Sequence, residues 1–169
     1  MKLLLFIIAT AMSFAGCRSI RPDAVNEMPD EMLTTQLQQV IDKIPTGFED
    51  IKEKKVSIDA GKDAYSSTIT LHGTFDNQIT ELTGRPCFMA KIADVKTEEQ
   101  AKQLVMKWTE KLEISLHNLE TKKVSFRTGG TKSELVEGTA LFLSESHGVS
   151  VIWRKYPESN IFNVMVRVI

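Results

Sequence analysis

The chain has 169 residues, 42% of them apolar and 25% charged, with a formal net charge of −1. That balance carries too little positive charge to attract a nucleic-acid backbone and too much apolar material for a disordered polyelectrolyte. Two cysteines, Cys17 and Cys87, cannot make a multi-disulfide scaffold, so the fold must rest on a hydrophobic core.

Met1 and Lys2 give a short basic start, Leu3 to Phe14 is almost continuously apolar, and the small residues Ala15 and Gly16 follow. Residues 1–16 are therefore expected to form a secretion signal, too short to remain as a membrane span. The run Phe14, Ala15, Gly16, Cys17 resembles the lipobox of bacterial lipoproteins, with Phe14 where leucine is usual. The resemblance covers only this leader. It implies that a diacylglyceryl group is attached to Cys17, which becomes the new N-terminus and anchors the chain to a membrane of the bacterial cell envelope, at the periplasm or the outer-membrane face. Ser13 and Ala15 also satisfy a small-x-small cleavage rule, and cleavage there would leave a soluble secreted chain with a plain Cys17 thiol. Loss of Lys2 with the leader leaves 20 basic residues against 22 acidic ones. Residues 17–28 hold Pro22 and little that could be buried, and are expected to be a tether whose typical span is roughly 15–20 Å. Residues 29–169 are long enough to bury one core without a staple, and are expected to form a single α+β domain.

From Asp30, Leu33, Leu37, Val40, Ile41 and Ile44 recur at helical spacing until Pro45 and Gly47. Phe48 to Ile58 is expected to be a first strand, with Lys52, Lys54 and Lys55 keeping an edge soluble, followed by a turn over Asp59 to Asp63. Tyr65 to Leu71 alternates as a half-buried strand does, and Gly73 closes it. Asp76 and Asn77 have the composition of a turn, leaving Ile79 to Leu82 as a short pairing segment before a strand over Cys87 to Val95. Thr97 to Leu119 is the strongest helical pattern. Ala101, Leu104, Val105, Trp108, Leu112, Leu116 and Leu119 share a stripe, and Thr97 with Gln100 has the form of a capping box. Strands are then expected over Val124 to Arg127, Leu135 to Leu143, Val149 to Tyr156 and Ile161 to Val168, with a break at Gly129 and Gly130 and a turn from Ser144 to Gly148. Short connections make the pairing antiparallel.

Lys54, Lys55, Val56, Ser57, Ile58 and Gly61 match Lys122, Lys123, Val124, Ser125, Phe126 and Gly129 at a constant offset, and the same offset carries the first helical stripe onto the second. A duplicated helix-plus-strands unit leaves such a trace. The expected fold is thus an antiparallel meander sheet with two helices on one face. That outline resembles the tandem-repeat architecture of beta-lactamase inhibitor proteins and the smaller BamE-type envelope lipoproteins, as a layout alone.

No catalytic set is legible. His72, His117 and His147 have no second ligand at metal spacing, HExxH, CxxC and phosphate-loop motifs are absent from the sequence, and no metal or other cofactor is expected. His147 beside Glu145 and Ser146 lacks the fold-assembled geometry of a triad. Cys87, in an apolar run, reads as a small buried hydrophobe. On the last hairpin, Phe162, Val164, Val166 and Val168 form an apolar face that belongs under the helices. The other side carries Ile161, Asn163, Met165, Arg167 and Ile169. With Arg154 and Tyr156 it has the mixture that interface centres favour, so Arg154, Tyr156, Met165 and Arg167 are the expected binding residues. The expected function is a non-enzymatic module that binds a protein or an envelope ligand through the exposed sheet face. The alternatives are a small-ligand carrier or enzyme with a pocket around Tyr65, Cys87 and Trp108, and an inhibitor or immunity protein.

Overall fold

A computed structural model of the chain describes residues 30–57, 63–129 and 133–169. Helix α1 spans Glu31–Ile41, and Asp30 caps it by accepting from the Leu33 amide at 3.0 Å. This cap satisfies a donor that the first turn leaves unpaired. Leu33, Leu37 and Val40 are fully buried. After short 3-10 turns at Ile44–Thr46 and Glu49–Ile51 come β1 (Lys52–Ser57), β2 (Asp63–Ser67), β3 (Phe75–Leu82) and β4 (Arg85–Val95). Helix α2 (Glu98–Ser115) crosses to β5 (Lys122–Thr128), β6 (Leu135–Phe142), β7 (Gly148–Lys155) and β8 (Phe162–Val168).

The eight strands form one antiparallel sheet in the order β1-β2-β3-β4-β8-β7-β6-β5. Two four-stranded meanders, each preceded by a helix, meet where β4 pairs with β8. Side chains alternate between the faces of a strand. One face therefore presents Phe88, Ala90, Val149, Val151, Trp153, Phe162, Val164, Val166 and Val168, and these join Leu33, Leu37, Val40, Ala101, Val105, Trp108, Leu112 and Leu116 in one buried cluster. Both helices lie on that face, as the sequence led one to expect, and the fold is α+β.

Local boundaries differ from the sequence pattern for identifiable reasons. Phe48 does not open β1. It takes a left-handed conformation (φ 63°) beside Gly47, which swings its ring into the core 6.4 Å from Phe88. The strand expected from Tyr65 to Leu71 begins earlier, at Asp63, and stops at Ser67, and Leu71 is buried in a loop, where its amide donates to Asn77 Oδ1 at 3.0 Å. Asp76 and Asn77 are thus not the turn. They lie inside β3, at an irregularity in its pairing with β4 where Asp76 has φ 48°, and the reversal into β3 falls in the loop before it, where Gly73 has φ 79°. The Thr97 side chain caps α2 by accepting from the Gln100 amide at 3.2 Å, but the helix ends at Ser115, where the His117 ring meets the Ile114 carbonyl. The turn expected after β1 and the break at Gly130 fall largely outside the described residues, as do the leader and tether.

Because α1, α2 and both meanders share one core, the halves are expected to unfold together. Leu37→Ala should lower stability by about 2–5 kcal/mol and shift a single urea transition. Two separated transitions, followed by far-UV circular dichroism and Trp fluorescence, would contradict a shared core.

Candidate functional site

The opposite side of the sheet is the candidate site. The register places Met89 beside Arg167, Arg167 beside Ser150, Lys91 beside Met165, Met165 beside Ile152 and Arg154 beside Asn163. All of these project away from the helices, and among the described residues no helix lies over them. Even so, Cys87 (0% exposed), Ile152 (2%) and Met165 (4%) are buried there. Longer neighbours shield them. Gln78, Met89, Lys91 and Arg154 line a recess of about 150 Å³ together with Met165, and Asp76 and Asn163 complete it. Small residues let the strands close at the centre. A Cβ on Gly138 would lie 2.2 Å from the Val151 carbonyl oxygen.

The four expected binding residues are on this side but play different parts. Tyr156 is exposed, and the Arg154 guanidinium carbon lies 5.2 Å from the centre of its ring. Arg154 Nη1 is 3.8 Å from Glu134 Oε1, while its Nε is buried without a protein partner. Arg167 Nε donates to Ser150 Oγ at 3.3 Å, and among the described residues no carboxylate lies within salt-bridge distance of it. Burial pulls the Arg167 guanidinium below its usual pKa. The Cys87 thiol and Glu134 oppose that effect, and Arg154 adds to it. Met165 lies in the floor, buried beneath its longer neighbours. Pattern reasoning also missed Val124 and Phe142, exposed apolar residues on the same side beside a recess of about 530 Å³. Their place is set by cross-strand register, which no local spacing reveals.

The alternative pocket is not assembled. Tyr65 aligns with Ile79 and Phe88 on the helix side, Trp108 packs from α2 over Gly73, and Cys87, next to Phe88 in β4, points the other way. Helix-side space exists elsewhere, as a groove of about 680 Å³ between α2 and the β5–β6 edge. Val105, Met106 and Trp153 supply its apolar walls, and its cations are paired. Arg127 reaches Glu98 and Glu137 (3.2 and 2.6 Å), Lys123 reaches Glu113 (2.9 Å) and Lys102 reaches Glu98 (2.8 Å).

The histidines serve local structure. His72 Nδ1 lies 2.9 Å from Asp30 Oδ2, and His147 contacts Ser144 and Ser146 within its own turn. Among the described residues, no group of three His, Cys, Asp or Glu side chains could hold a metal ion, and no helix is long and apolar enough to cross a membrane. No protein-family model, curated protein or solved structure significantly matches the chain.

Burial pushes the Cys87 thiol up to about 11 from an ordinary 9.0. The neutral thiol is favoured in the folded state, so its stabilising contribution is complete below pH 9.0 and is lost as the pH rises toward 11. Wild type should lose roughly 2–3 kcal/mol more than Cys87→Ala across that interval, measured by urea unfolding. At pH 8 a thiol reagent should modify Cys87 only at the rate of global unfolding. Rapid modification of the folded protein would mean the thiol is accessible.

Proposed function

We propose that the chain is a bacterial envelope lipoprotein, anchored through Cys17, whose body is a non-enzymatic module that binds a partner on the uncovered side of its sheet. The observation that carries this reading is the arrangement on that side: Arg154, Tyr156 and Arg167 stand over a buried floor of Ile152 and Met165, with no helix above them among the described residues. Arginine and tyrosine give contact area above an apolar floor, which suits an interface centre. The apolar run ending in Ala15, Gly16 and Cys17 supports the anchor.

The duplicated unit belongs to the same proposal. Val56 faces Ala64 and Val124 faces Ala140, so matched positions of the two first strands make matched pairs on the same side of the sheet. The offset does not persist, since β3 opens at Phe75 and β7 at Gly148. The two-helix layout, analogous to the tandem repeat of beta-lactamase inhibitor proteins, keeps an inhibitor or immunity role as a further reading. A small-ligand carrier is favoured only by the groove beside α2.

Two measurements test the proposal. In growing cells an alkyne fatty acid should label the chain, and Cys17→Ala should abolish the label. An unlabelled wild-type chain in the medium would instead fit cleavage after Ala15. A photo-crosslinking residue at position 156 should capture a discrete partner in the native cell. The combined change Arg154→Ala, Tyr156→Ala and Arg167→Met should abolish a crosslink placed at Asn163 without altering the circular dichroism spectrum. Unchanged capture would remove this face from consideration.

A further inference from the structure

We propose that Arg167 is the anchor for a carboxylate side chain of a protein partner docked on the uncovered side of the sheet. The inference rests on that side being the binding face and adds the chemistry that is bound there. Four arginines lie among the described residues, and they differ in what they touch. Arg127 is held by two carboxylates, Arg154 is shared with Glu134, and Arg85 reaches a carbonyl in an exposed turn. Arg167 alone is both half-buried in a central strand and without a carboxylate contact, its Nε held only by Ser150 Oγ. Its strand neighbours, Met89 and Ser150, are neutral.

A half-buried cation whose nearest carboxylate, Glu134, acts only from beyond contact distance gains from a closer counter-charge. The planar guanidinium also presents further donors in a fork that matches a carboxylate. Glu134 sits beside Arg154, and Asp76 lines the adjoining recess. Lys91 and Arg154 line the same recess, so its charges are mixed and set no net sign of their own. The surroundings suit a protein rather than a bare metabolite, because exposed Tyr156, Val124 and Phe142 flank the central strands on the same side. Apolar and aromatic area around a central Arg is how protein interfaces concentrate their affinity.

The test is selection of a random peptide library displayed on phage against the full chain, with the selected peptides then measured against Arg167→Met and Arg167→Lys. Selected peptides are expected to share a Glu or Asp. Its change to Gln or Asn should weaken binding at least tenfold to wild type and leave the residual binding to Arg167→Met unaltered. Arg167→Lys should retain part of the affinity. Thermal unfolding of Arg167→Met should occur at or above the wild-type midpoint, since a half-buried charge with no carboxylate in contact is removed; a clear drop would assign Arg167 to the fold instead. Peptides that require Tyr156 but tolerate loss of the acid would overturn the carboxylate and leave the binding face standing. Peptides indifferent to Arg154, Tyr156 and Arg167 alike would overturn both. Displacement of the acidic peptides by millimolar inorganic phosphate, or by anionic phospholipid vesicles but not neutral ones, would overturn the choice of a protein carboxylate.

Discussion

The pairing of β4 with β8 is the constraint on which the molecule depends. Each meander has one helix and one sheet surface. Joined at this seam, the two share one core in which the α1 and α2 stripes lie over Phe88, Ala90, Val164, Val166 and Val168. The antiparallel register places these residues opposite one another on a single side. The register also fixes where every alternate residue goes. Burying Val164, Val166 and Val168 under the helices commits Asn163, Met165 and Arg167 to the other side, so the core and the candidate site are two consequences of one pairing.

The uncovered side has an economy of its own. A helix would normally shield apolar residues in central strands, yet here Ile152, Met165 and Cys87 are buried with none above them among the described residues. Long flexible side chains do this work, because the stems of Lys and Arg cover apolar surface while their charged ends reach water. Lys91 shows the pattern. Its ammonium pairs with Asp94 at 2.6 Å and sits 5.5 Å from the centre of the Phe75 ring. A floor shielded by side chains can be bared by rotamer changes, whereas one shielded by a helix requires the helix to leave. This difference makes the far side the more adaptable of the two.

How much of this was legible depended on the range of the interaction involved. Helix α2 could be read directly because its cap, first-turn carboxylates and stripe are all local, and the alternation in β8 was equally plain. The internal turn in β3 was misplaced because Asn77, a turn former by composition, spends its side chain on the Leu71 amide and stays within the strand. Cys87 was grouped with Tyr65 and Trp108 because a continuous apolar run does not announce which residue faces which side. The depth of Met165 was not legible because alternation gives direction but not depth. Its burial follows from Lys91 and Ile152 on the adjoining strands, which are distant in sequence.

The two open spaces can be compared by their charges. In the groove beside α2 each lining cation has a carboxylate partner, so Coulomb attraction is already met within the chain. A ligand entering there would have to compete with those pairs, and exposed pairs of this kind contribute little either way. On the other side Arg154 is paired with Glu134 at 3.8 Å, and among the described residues Arg167 contacts no carboxylate. An incoming negative group would gain at Arg167 without first breaking an internal pair, and it would gain more because the guanidinium is partly withdrawn from water. Electrostatics therefore distinguishes surfaces that volume alone would rank in the opposite order, and favours the face that β8 shares with β7 for the proposed carboxylate.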